Sequence, residues 1–156
     1  PGILISDFYS AYNKLKCRQQ KCLVHLLREM RDCRGKDPPE DYRVPYKKLK
    51  RILSDAHRLQ EQQGQMPSLD FVRKVRRIKE RLFLFATTPY SNKHWQRLSG
   101  RFLKHEKQML TFLDFPGLPD NNNLAERMIR PHVILRNRSF HNRTEKGAEM
   151  IRQDRR

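Results

Sequence analysis

The residues with the most chemical content lie in one stretch, Pro119-Asp-Asn-Asn-Asn-Leu-Ala-Glu-Arg-Met-Ile-Arg-Pro131. Proline and asparagine favour a turn, and an Asn side chain can cap the first free N–H groups of a helix, so Asn122 and Asn123 mark a loop that becomes a helix. Glu126 then falls in the first turn, where the helix dipole favours a carboxylate. Arg127 and Arg130 lie three apart and share a face. One fixed acid bracketed by fixed cations suits a metal ion held beside a gripped phosphate backbone. The plainer reading is a capping charge with surface cations around it.

A second acid closes the opening segment Gly2-Ile-Leu-Ile-Ser-Asp7. A short apolar run bounded by Gly and a polar residue predicts a buried strand, covered on both faces. Asp7 sits at its carboxyl end, where open α/β sheets place ligands. As a plain structural residue Asp7 would be a helix N-cap.

The elements that must position these acids follow from periodicity. Phe8, Tyr9 and Tyr12 have helical spacing and predict a short helix packed on the sheet. Lys16 to Cys22 is a candidate second strand. From Leu23 the period changes, and Leu23, Leu26, Leu27 and Met30 form one helical face. Three further amphipathic helices follow. Tyr46 to Leu59 has Pro45 in its first turn. Val72 to Phe85 is the next, and Trp95 to Phe112 the third. Leu124, Met128 and Ile129 predict an apolar stripe that docks the Glu126 helix, with Pro131 as a kink or an end. Beyond it, 139–142 is expected to be extended and Thr144 to cap a last helix. The fold class is thus α/β with an all-helical insertion.

Charge is the loudest global signal. The 156 residues carry 34 Lys and Arg against 17 Asp and Glu, a net +17. Such an excess attracts polyanions, and nucleic acid is the commonest of these for a basic protein. No stretch approaches the roughly 18 apolar residues of a membrane span, and the start has no signal-peptide pattern. A membrane-surface role lacks a Trp-rich or Leu-rich basic helix. The three cysteines, Cys17, Cys22 and Cys33, are an odd count that fits reduced thiols. With His25 they invite a zinc reading, but the spacing lacks a second matched pair.

Three blocks together resemble a known family: Gly2-Ile-Leu-Ile-Ser-Asp-Phe-Tyr-Ser-Ala-Tyr12, then Cys22-Leu-Val-His-Leu-Leu-Arg28, then Asn122-Asn-Leu-Ala-Glu-Arg-Met-Ile-Arg-Pro131 with Arg136 and Gly147-Ala148. Their order and spacing are similar to the catalytic region of the IS-sixty-six family of bacterial insertion-sequence transposases, within the wider DDE group. The resemblance implies a partial ribonuclease-H-like core, with residues 1–35 and 119–156 as its parts and 36–118 as the helical insertion. It implies that Asp7 and Glu126 are the second and third acids of a catalytic, metal-binding triad served by two Mg²⁺ or Mn²⁺ ions. The first acid lies on an earlier strand of the family and has no counterpart here, so the chain is expected to be a fragment, inactive or nearly so alone.

By the same resemblance Cys22 and His25 support the site, though His25 also reads as a buried structural histidine. Asn122 and Asn123 support it from the loop, and Arg127, Arg130 and Arg136 contact DNA or steady the acids. The implied partners are DNA at transposon ends and target, and further copies of the full-length enzyme, in the bacterial cytoplasm at the nucleoid. The rival expectation is a non-catalytic helical module that binds nucleic acid through charge alone.

Overall fold

The structure is a computed structural model that describes residues 2–138, with side chains as far as residue 134. The expected extended segment at 139–142, the Thr144 cap and Gly147-Ala148 lie outside the described residues. Two compact units are present, one ending at Asn121 and the other beginning at Asn122.

The first unit opens with β1 (Ile3–Ser6) and β2 (Arg18–Lys21), a parallel pair in the register Ile3↔Arg18 to Ser6↔Lys21. Parallel strands need a crossover, and here it is a 3-10 turn over Ser10–Lys14. The expectation of a fully covered β1 is corrected: Ile3, Leu4 and Ile5 are only half-buried, because β2 is the strand's one neighbour among the described residues. The aromatic residues after Asp7 also depart from expectation. Phe8 packs against the core, whereas Tyr9 and Tyr12 point outward and stack edge-on with each other.

Five helices complete this unit: α1 (Leu23–Arg34), α2 (Glu40–Glu61), α3 (Ser68–Thr87), α4 (Lys93–Lys104) and the short α5 (Glu106–Met109). Gly35 ends α1 with φ 68°, a left-handed conformation that costs a residue without a Cβ little. Helix α2 starts earlier than Pro45 suggests. Pro39 takes the cap position and Glu40 and Asp41 fill the first turn, where carboxylates suit the dipole. Pro45 is therefore inside the helix, where it lacks an N–H for the ladder but is buried against the core. The predicted third helix is broken: α4 ends near His105, and α5 and a 3-10 turn at Thr111–Leu113 carry the same apolar face onward.

One continuous core joins α1 through the 3-10 turn at Thr111–Leu113. Trp95 is its centre, with no exposed surface; its indole N–H donates to the Tyr42 carbonyl at 3.2 Å. Polar side chains seal the sheet to the core. Buried Gln20 donates to the Met109 carbonyl at 3.0 Å and accepts from the Phe112 N–H at 2.9 Å. Thr111 Oγ1 donates to the Gln19 carbonyl at 2.8 Å. Such pairing lets a chain with only 37% apolar residues close its interior.

Tyr42 gives the core a pH limit. Burial, aided by the nearby Cys33, pushes its phenol from 10.0 up to about 12, and its hydroxyl donates to the Met30 carbonyl. Between those values the unfolded chain releases a proton that the folded chain retains, so stability falls as pH rises through this window. Tyr42→Phe should cost about 1–3 kcal/mol near pH 7 through the lost hydrogen bond. That deficit should shrink from pH 10 to pH 12 in urea-unfolding curves, because only the parent carries the titrating phenol.

The second unit contributes α6 (Asn123–Arg138), which continues through Pro131 rather than ending there. Leu124, Met128 and Ile129, the expected apolar stripe, lie on this helix and are exposed among the described residues.

Candidate functional site

Because β1 and β2 are parallel, both carboxyl ends open on the same edge of the pair. The Cys22 N–H donates to the Ser6 carbonyl at 2.8 Å and extends the ladder one residue beyond β2. Asp7 follows Ser6 at this edge, half-buried. Its Oδ1 accepts from the Tyr9 N–H at 2.9 Å, an Asx-type turn; the cap position of the following 3-10 turn belongs to Tyr9, so Asp7 is not the helix N-cap of the plainer reading. Its Oδ2 takes no hydrogen bond from the described residues. A carboxylate with one oxygen fixed by backbone and the other open fits a metal ligand, since Mg²⁺ binds few protein carboxylates and keeps several waters.

Lys21 is the residue that sequence reasoning missed. It has no exposed surface. Its ammonium donates to Ser6 Oγ at 3.2 Å, to Gln19 Oε1 at 3.2 Å and to the Asp7 carbonyl at 3.3 Å. Burial lowers the Lys21 pKa, and the negative charge of Asp7 works against that. The register explains the cluster: Ser6 faces Lys21 across the pair, and Gln19 lies two residues back on the same face. Nothing in Arg18-Gln-Gln-Lys21 signals burial, because the tetrad is polar throughout.

Cys22 is fully buried at the entry to α1, and His25 is half-buried in its first turn. Cys17 and Cys33 are exposed. No group of three or more potential metal ligands occurs among the described residues. The chain at Asp120 is fastened at the same edge. The Leu23 N–H, one residue past Cys22, donates to the Asp120 carbonyl at 2.9 Å.

Two other acids near this loop, Asp120 and Asp114, have partners of their own. Asp120 Oδ1 accepts from Asn121 Nδ2 at 2.7 Å, and Oδ2 lies 3.5 Å from His57 Nδ1. Asp114 accepts from the Lys79 ammonium on both oxygens, at 2.7 and 2.8 Å.

In the second unit, the Asn122 carbonyl accepts from the Glu126 N–H at 3.0 Å and closes the first turn of α6. Asn122, Asn123 and Glu126 are half-buried, and Arg127 and Arg130 are exposed. The backbone of Arg136 lies in α6, while its side chain is outside the described ones. The structure therefore gathers Asp7, Lys21, Cys22 and the Asp120 loop at one sheet edge. It gathers Glu126, Asn122 and Asn123 at one helix start, with Arg127 and Arg130 in the next turn.

No helix among the described residues is long and apolar enough to cross a membrane. Searches of curated proteins and of solved structures give no match. A family model described as Transposase IS66 family matches residues 1–150.

Proposed function

The chain belongs to the IS66 transposase family, and from that membership we propose that it is the catalytic region of a DDE-type enzyme that cuts and joins DNA at transposon ends. Asp7 and Glu126 would hold two Mg²⁺ or Mn²⁺ ions. Ions about 3.5–4 Å apart activate the attacking oxygen and stabilise the leaving one in an in-line displacement at phosphorus. Asp7 presents its open oxygen at the strand edge. Glu126 brings a second carboxylate from the first turn of α6, and Arg127, Arg130 and Arg136 lie along the same helix to grip the phosphates.

In the first reaction the oxygen of water bonds to phosphorus and the bond to the 3′-oxygen breaks, which frees a 3′-hydroxyl. In the second, that hydroxyl bonds to a target phosphorus and gives its proton to solvent, while the bond to a target 3′-oxygen breaks and that oxygen takes a proton from solvent to leave as a hydroxyl.

The observation that supports this reading best is the bond from the Leu23 N–H to the Asp120 carbonyl. It holds the end of the first unit, next in sequence to the Glu126 segment, at the edge where Asp7 sits. We read residues 1–35 and 119–156 as parts of a ribonuclease-H-like core and 36–118 as an insertion whose helices share their apolar interior with α1. Cys22 and His25 would then support the site from the start of α1. No residue of this sequence is assigned to the first acid of the triad.

The enzyme would act as a homo-oligomer on transposon-end and target DNA in the bacterial cytoplasm. The test is strand cleavage of transposon-end DNA by the complete enzyme. Cleavage should appear with Mg²⁺ or Mn²⁺ and vanish when EDTA removes the ion, while DNA remains bound. Cleavage that persists under EDTA would remove the metal chemistry. A complete enzyme that binds DNA and never cuts it would favour the non-catalytic module.

A further inference from the structure

The long groove between α2 and α3 is walled by cations. On α2, Lys47, Lys48 and Arg51 line a cleft of about 610 Å³ that Arg81 of α3 completes. Next to it, Arg58 of α2 faces Lys74 and Arg77 of α3 across a second cleft of about 320 Å³. The two clefts share Arg81 and Asp55 and so form one trough. Asp55 is the only carboxylate in either wall, and it works as a clamp. One of its oxygens holds Arg58 at 3.0 Å and the other holds Arg81 at 2.8 Å. Each guanidinium carries five N–H donors in a fixed fork, so the clamp orients both groups and leaves donors open toward the trough.

We propose that this trough is a track for the sugar-phosphate backbone of duplex DNA. It deepens the reading above and rests on it only for the identity of the polyanion; it needs no metal and no acid pair. Lys47 to Arg58 spans about 16 Å of helix axis, on the order of five base-pair steps of one strand. The walls contain no aromatic side chain. Single-strand binders rely on aromatic rings for stacking, whereas a row of Lys and Arg suits phosphates held at duplex spacing. Binding here is independent of base sequence and holds DNA that other residues position for reaction.

Net charge alone would attract DNA anywhere on this surface, so the test holds charge constant. Lys47→Ala, Lys48→Ala and Arg51→Ala together remove three cations from the trough. A control removes three that lie outside its walls and face acids of their own: Arg43, Arg73 and Arg76, which lie 3.6, 3.6 and 3.5 Å from Glu40, Asp70 and Glu80.

Binding of this chain to a short random-sequence duplex is measured by fluorescence anisotropy over a range of salt, with EDTA present. The trough variant should lose roughly tenfold or more in affinity, and its slope of log K against log salt should fall by about 2.7. The control should lose no more than about twofold. If the triple variant loses its far-UV helical signal, Arg51→Gln alone carries the test, with a slope change of about 0.9. Equal losses in trough and control variants would overturn the proposal. So would a single strand that outcompetes the duplex, or anionic vesicles that displace it at equal phosphate. Because EDTA silences cleavage, this result and the fate of the metal-site reading are separable.

Discussion

Glu126→Gln in the complete enzyme abolishes strand cleavage, by roughly 1,000-fold or more, and spares most DNA binding. Gln keeps the length and shape of Glu and loses only the charge, so the start of α6 stays intact. The Asn122 carbonyl still accepts from the backbone N–H of residue 126. What disappears is an anionic oxygen for a divalent ion, and several kcal/mol of transition-state stabilisation with it. Binding persists because cations make it, and the chain keeps its 34 Lys and Arg. Gel assays of nicking and of mobility shift on the same substrate separate the two effects. Equal cleavage by parent and variant would remove Glu126 from the site.

The second large effect is on folding. Trp95→Ala should destabilise the chain by about 3–5 kcal/mol, the usual cost of emptying a large aromatic site. Trp95 has no exposed surface and lies 5.1 Å from the Tyr42 ring and 5.8 Å from Phe85, centroid to centroid. It thereby ties α4 to α2 and α3, and α3 itself packs on both neighbours. A domain of this size has about 5–15 kcal/mol in total, so the variant should sit near its unfolding threshold. Circular dichroism in urea reads the change, since this is the only Trp and its fluorescence goes with it. Trp95→Phe should recover most of the loss and forfeit mainly the N–H bond to Tyr42.

Both effects rest on elements of unequal legibility. Helix α3 could be read directly: Val75, Ile78, Leu82 and Phe85 recur at helical spacing, and all four are buried. The break after α4 could not, because Leu98, Phe102, Met109 and Phe112 keep their burial across it. Periodicity records which side faces the core and not whether the backbone ladder is continuous. Pro45 misled in the other direction. Proline suits a first turn, yet Pro39 already holds the cap and the helix absorbs the later one. Strand β2 was legible only as a segment between recognisable neighbours, since its buried Gln20 side chain serves hydrogen bonds to the backbone of Met109 and Phe112 instead of apolar contacts.

At the site, Asp7 stood out because a polar residue ended an apolar run. Lys21 stayed hidden because its burial depends on its meeting Ser6 across a parallel register, with Gln19 two residues back on its own strand. Leu124, Met128 and Ile129 share one helical face, exposed among the described residues. Spacing gives a helix a face, and only the partner decides whether that face is covered.

The central claim is that Asp7 and Glu126 hold the same pair of ions. The most direct measurement is a crystal of the complete enzyme bound to transposon-end DNA and soaked in Mn²⁺, with anomalous scattering used to place the metal. The account requires manganese peaks between the two carboxylates, in direct contact with both, and loss of a peak in Glu126→Gln. Carboxylates more than roughly 10 Å apart, too far for two ions at the usual spacing to bridge, or manganese bound by other acids, would contradict it.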